Sequence, residues 1–235
     1  MPKLGISLSI KPKYGNFTVQ EFPPSFDPST IPNLKAWFST TYGVNHTSNV
    51  IDNWVAKYPA DGSVVATAFN GPMLDGDSIY FDGIDSYMTS DDILISNTTP
   101  RTFVVVGSMG DAIHRNQEGF INSFGDGGYI FKEALTESMY YYANGFQQQH
   151  PETHDLSEFH TIVVRHGISP DPSSIKIGAI TSSDLVISNT TTFDTLYIGC
   201  REPSSEYLFG RIKNILVFDR ILTETEVTDL ENYLA

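Results

Sequence analysis

Retaining hydrolysis of a glycan needs two carboxyl groups roughly 5 Å apart, commonly held at positions i and i+2 or i+4 of one strand face. The sequence contains no Glu-x-Asp-x-Glu and no Glu-x-Asp-x-x-Glu. Its closest acidic pairs are Glu224 with Glu226, which a helix start accounts for, and the adjacent Asp91 and Asp92, which a strand would turn to opposite faces. Catalysis is not expected from this pattern. The segment His150-Pro151-Glu152-Thr153-His154 has two potential metal ligands. A zinc protease, however, places its glutamate directly after the first histidine, with both histidines on a helix. Here Pro151 stands in that place, behind Gln147-Gln148-Gln149, and the expectation is a surface loop.

Asp75-Gly76-Asp77, Asp82-Gly83-Ile84-Asp85 and Gly125-Asp126-Gly127-Gly128 carry oxygen ligands of the kind a calcium ion takes. Asp82, Asp85 and Asp126 are the calcium candidates, set against the simpler reading that Asp-Gly is turn chemistry. No cofactor is required by any motif. Sugar binding would need an aromatic platform beside polar groups. In Ser138-Met139-Tyr140-Tyr141-Tyr142-Ala143 a strand would point Tyr140 and Tyr142 to one face and Tyr141 to the other, one of those faces being core. Tyr140 and Tyr142 are therefore glycan-binding candidates, joined by Trp54 and Tyr42 in loop-like surroundings near the domain start.

The elements that must position these residues are short apolar segments parted by turn residues. They include 78–81 before Asp82-Gly83, 102–107, 138–143 before Asn144-Gly145, 161–165, 174–179, 195–199 and 210–218. This rhythm predicts an all-β antiparallel two-sheet sandwich and not alternating βαβ units. One helix is predicted, at the end: Thr223-Glu224-Thr225-Glu226 is a capping box, and Val227, Leu230 and Leu234 form a single apolar stripe.

Pro2, Pro12, Pro23, Pro24, Pro28 and Pro32 crowd the start of the chain. Proline removes ladder donors and favours extended backbone. Residues 1–30 are read as an arm and 31–235 as the domain. The arm is either a loose tail or a docking element that orders on a partner. The formal net charge of −14 sets this surface against phosphate backbones and anionic membranes. No apolar run approaches the roughly 20 residues of a membrane span, and the first residues lack the pattern of a signal peptide. The single cysteine, Cys200, makes no internal bridge and suits assembly in a reducing cytoplasm.

The stretches Leu196-Tyr197-Ile198-Gly199 and 207–226, with Phe209-Gly210-Arg211-Ile212 and Phe218-Asp219-Arg220-Ile221-Leu222-Thr223, resemble the closing strands, corner and helix of laminin G-like, concanavalin A-like domains. Leu34-Lys35-Ala36-Trp37 and Phe81-Asp82-Gly83-Ile84-Asp85 resemble that family's opening strands, so the likeness covers about 31–235. It implies a jelly roll that binds rather than catalyses, with Trp37 in the core, Gly199 and Gly210 at close approaches, and Asp219-Arg220 fixing the last corner. Such domains are common on tailed-phage virions. The resemblance therefore implies a structural protein of the virion surface, a decoration protein or a tail or head fibre. Residues 1–30 would bind other virion proteins, and the sandwich would touch host surface glycans as a homo-oligomer, a trimer being natural at threefold sites. Two other readings are a glycan-active hydrolase or lyase on the same fold, and a cellular adhesion module.

Overall fold

The computed structural model describes residues 26–110, 117–123, 128–133, 138–143, 146–182, 185–186, 192–201 and 206–235. The strands run β1 Leu34–Ser39, β2 Val44–Thr47, β3 Val50–Val55, β4 Val65–Phe69, β5 Met73–Asp75, β6 Ser78–Asp82, β7 Tyr87–Ser90, β8 Arg101–Met109 and β9 Gln117–Ser123. They continue with β10 Gly128–Glu133, β11 Ser138–Ala143, β12 Phe146–Thr153, β13 His160–His166, β14 Pro172–Ile177, β15 Ile180–Thr181, β16 Leu185–Val186, β17 Leu196–Ile198 and β18 Phe209–Phe218, and α1 Glu224–Leu234 closes the chain. All pairings are antiparallel, and the fold is the all-β sandwich that the short apolar runs predict.

One sheet is ordered β14–β13–β8–β18, with β1 and β6 sharing the far side of β18. The other is ordered β3–β4–β7–β17–β9–β10–β11–β12. β5 pairs with both β6 and β3, so the ladder passes from one sheet to the other along that side. On the opposite side β12 lies beside β14.

Layering explains the composition of the central strands. Every residue of β8 is buried. Phe103 and Val105 face the inter-sheet core, whereas Val104 faces a second core with Trp37, Val163, Leu216, Phe218, Val227 and Leu230. The first sheet is thus covered on both faces, by the second sheet and by α1, which is why its strands read as continuous apolar runs. The stripe of α1 packs as its periodicity predicts, Val227 and Leu230 being fully buried. Phe26 meets Tyr233 edge-on at 5.8 Å and joins this same cluster. Residues 26–30, assigned to the arm from sequence, therefore pack on the body; residues 1–25 lie outside the described residues.

The corner between β18 and α1 is held by charge and caps. Lys35 Nζ lies 2.8 Å from Asp219 Oδ2. Arg220 donates to both carboxylate oxygens of Glu226 and, at 3.0 Å, to the carbonyl of Pro32. Glu226 also accepts from the Thr223 amide at 2.9 Å, completing the capping box. The Arg220 guanidinium, opposed by partial burial and helped by Thr223, lowers the Glu226 carboxyl to about 2. A depressed carboxylate stabilises the fold above its unfolded value, and that stability is lost as pH falls through the folded value. Glu226→Gln should therefore flatten the acid limb of stability between about pH 4.5 and 2. An unchanged limb in a pH series of urea melts would contradict this.

Two glycines are fixed by close approach. A Cβ on Gly210 would stand 2.2 Å from the Ser108 carbonyl oxygen on β8. Gly199 has φ +78, and a Cβ there would meet the Phe81 ring at 2.4 Å.

Candidate functional site

Strand alternation and register place aromatic and polar side chains across the outer face of the second sheet. One row of paired positions reads Thr67, Thr89, Tyr197, Asn122, Tyr129, Tyr142 and Gln147. On one side Phe69 pairs with Tyr87, and their rings stack at 4.9 Å and 10°. Tyr207, arriving from the segment before β18, tilts onto Tyr87 at 6.3 Å. Phe69 is 40% exposed, and Tyr87, Tyr197 and Tyr207 are half-buried, so four aromatic rings offer surface here. Further along, Tyr129, Phe131 and Tyr140 form a buried stack with separations of 4.6 and 5.3 Å, with Tyr142 packed against it.

Polar groups lie between these two aromatic patches. Tyr129 Oη donates to Glu206 Oε2 at 2.9 Å, and Arg201 Nη1 is 3.3 Å from Glu206 Oε1. The Arg201 guanidinium lies over the Tyr129 ring, and Asn122 Nδ2 donates to the Arg201 carbonyl. Gly119 makes the stack possible, because a Cβ there would sit 2.4 Å from the Tyr129 ring. Burial raises the hydroxyls of Tyr87, Tyr197 and Tyr207, with the Asp91 carboxylate adding to Tyr197, and burial with Glu206 raises Tyr129 further. These phenols stay protonated at neutral pH, as donors and apolar faces. Flat rings with hydroxyls and a charged pair beside them can take the apolar face of a pyranose while hydrogen-bonding its edge.

The sequence candidates meet different fates. Tyr140 and Tyr142 do share the outer face opposite Tyr141, but Tyr140 is only 6% exposed and Tyr142 half-buried, so they support the platform more than they present it. Trp54 is corrected: it lies within β3, not a loop, is fully buried, and its Nε1 donates to the Ser39 carbonyl at 3.1 Å. No ligand reaches that ring. Tyr42 is exposed in a turn after β1. Asp82 Oδ1 accepts from the amides of Ile84, Asp85 and Ser86 and from the Ser86 hydroxyl, as turn chemistry requires. Burial acts to raise this carboxyl, but those donors outweigh it and the net shift is down. Asp85 is exposed and its carbonyl accepts from Asn70. Asp126 lies outside the described residues. Among the described residues no group of three or more His, Cys, Asp or Glu side chains could hold a metal ion. Glu224 and Glu226 are engaged by Arg165 and Arg220, and Asp92 accepts from the Val65 amide at 3.0 Å.

The segment 150–154 is also corrected. Residues 150–153 belong to β12, and His150 is fully buried. β12 is an edge strand, and Pro151 falls where its register with β11 shifts, so the missing donor costs no ladder bond. Sequence reasoning missed Phe69, Tyr87, Tyr197 and Tyr207. It also missed a polar contact in the core, where Tyr141 Oη lies 2.6 Å from His166 Nδ1. Burial, with Arg101 nearby, lowers His166 to about 3, so it is neutral and buried.

No protein-family model matches the chain, and no curated protein matches it by sequence. Solved structures do share its fold. A Trypanosoma rangeli sialidase in complex with sialic acid has a TM-score of 0.60 at 13% identity, covering 85% of this chain and 33% of its own. The binding domain of botulinum neurotoxin serotype D has a TM-score of 0.63 at 9% identity, covering 86% of this chain and 52% of its own. The chain thus spans about a third of the sialidase and about half of the toxin domain. These likenesses establish a β-sandwich of a widely used jelly-roll kind.

Proposed function

We propose that this protein binds glycans, without catalysis, on the outer face of the second sheet. The observation that carries the reading is the open aromatic group Phe69, Tyr87, Tyr197 and Tyr207 beside Arg201 and Glu206 on a rigid sheet. Supporting it, one solved structure of the same fold is a sialidase with bound sialic acid, and another is a toxin's binding domain. The carboxylate pairs suggested by the sequence hold a helix cap, ion pairs and an amide. We further propose a tailed-phage virion surface as the setting, a reading that the resemblance of residues 31–235 to laminin G-like domains supports, with the chain before the sandwich reaching a neighbouring virion protein and the sandwich facing host glycans.

A glycan array with the full-length protein and with Phe69→Ala/Tyr87→Ala tests the reading. Each stacked ring contributes on the order of 1 kcal/mol, so the pair should lower affinity roughly tenfold or more without unfolding the protein. Binding that the double variant retains in full sinks the assignment of the face, and release of a reducing sugar by the wild type sinks the non-enzymatic reading. Deleting residues 1–25 should leave glycan binding intact and abolish attachment to the particle; loss of both together would contradict the division of roles.

A further inference from the structure

We propose that the open aromatic face selects uncharged glycans and turns away those bearing carboxylate or sulfate, an inference that rests on the glycan reading of that face. The row of paired outward positions from Thr67 to Gln147 holds no Lys, Arg or His. Arg201 is the cation that the described residues bring to the site, and its charge is already matched. Its Nη1 lies 3.3 Å from Glu206 Oε1, and its guanidinium lies over the Tyr129 ring at 5.6 Å. The Tyr129 hydroxyl holds the other oxygen of Glu206 at 2.9 Å, which fixes the pair in place.

Carboxylates surround the rings. Asp91 lies two residues beyond Thr89, the register partner of Tyr197, so the alternation of β7 carried onward turns it to the same face. Asp194 enters at that end of β17, because Ser90 pairs with Leu196. Asp85 stands two residues before Tyr87, on the turn into β7. All three are exposed, and none is ion-paired among the described residues. Their charge reaches the rings: burial raises the Tyr197 hydroxyl and Asp91 and Asp194 add to it, as Asp85 adds to burial at Tyr207. With Glu206, four carboxylates stand against one guanidinium, in a chain of formal net charge −14. An ionised carboxylate accepts hydrogen bonds and cannot donate. Sugar hydroxyls donate to it with the added strength of a charged acceptor, whereas a ligand carboxylate or sulfate brings only acceptors and repulsion. The protonated tyrosines and Asn122 supply donors for the remaining sugar oxygens, and the rings take the apolar face of the pyranose.

The test is an array of uncharged, sialylated, uronate-containing and sulfated glycans, probed with the full-length protein. The strongest uncharged hit is then titrated beside the same glycan with one primary hydroxyl oxidised to a carboxylate. Hits should be uncharged. The oxidised form should bind roughly tenfold more weakly at about 0.01 M salt, and the gap should narrow severalfold at about 1 M, where charges are screened within about 3 Å. Asp91→Asn/Asp194→Asn, at two exposed positions, should cut the low-salt gap roughly threefold or more. A gap that ignores both salt and the two substitutions is steric and overturns the inference. Acidic hits that Phe69→Ala/Tyr87→Ala weakens overturn it too, while leaving glycan binding on this face standing. No hit of any class, or hits that Phe69→Ala/Tyr87→Ala leaves unchanged, strike the glycan reading itself and this inference with it.

Discussion

Trp54→Ala is expected to cost about 3–5 kcal/mol, among the largest losses available to a single substitution in this chain. The indole is fully buried in the inter-sheet core, tilts against Phe38 at 5.3 Å, and donates Nε1 to the Ser39 carbonyl. Alanine removes the ring, leaves a cavity that the flanking strands close only in part, and strands the carbonyl. Urea melts should show the midpoint falling steeply. Glycan affinity measured below the transition should stay at the wild-type value, because the ring faces away from the outer surface. Lost affinity in a still-folded Trp54→Ala protein would restore Trp54 as a ligand residue.

The second large effect is at Gly199. Its φ of +78 is a conformation that other residues adopt only with strain, on the order of 1–3 kcal/mol. A methyl group would also be driven into the buried Phe81 ring, and overpacking of a tight core costs about 1–3 kcal/mol more. Gly199→Ala should thus destabilise by roughly 2–6 kcal/mol. The position matters for the candidate site too, since Gly199 follows Tyr197 and its carbonyl accepts from Leu208, next to Tyr207. Displacing it should loosen two of the four open rings together. A thermal melt within 2 °C of wild type would show that the backbone relaxes without strain.

Those two residues also show what the sequence made legible. Gly199 sits in a "YIG" strand whose resemblance to laminin G-like domains already implied a close approach, and the Phe81 contact supplies the cause. The helix start was readable because a capping box is local: Thr223 and Glu226 need only three residues of chain. Trp54 was not readable, because an indole near turn residues has the same local sequence whether it packs inward or lies open. Its partner Phe38 comes from another strand.

The candidate site was hidden for the same reason. Phe69, Tyr87, Tyr197 and Tyr207 belong to four separate segments: the register of β4 with β7 and of β7 with β17 assembles the first three, and the bond from the Leu208 amide to the Gly199 carbonyl brings Tyr207 beside them. Tyr140 and Tyr142 could be found because three consecutive tyrosines advertise an alternation within a single strand. Their exposure could not, since it depends on what other segments lay over them. Pro151 misled in the opposite direction: proline argues against a central strand, whereas β12 is an edge strand with an irregular register.

The most direct test of glycan binding on the outer face of the second sheet is a map of the bound sugar by NMR of labelled protein. The ligand would be the strongest hit of a glycan array, titrated to saturation. The account predicts perturbations concentrated on the ring signals of Phe69, Tyr87, Tyr197 and Tyr207 and on the Arg201 guanidinium, with α1 and the first sheet silent. Perturbations centred instead on the opposite side of the molecule, around Lys213, Asn214 and Phe159, would contradict it.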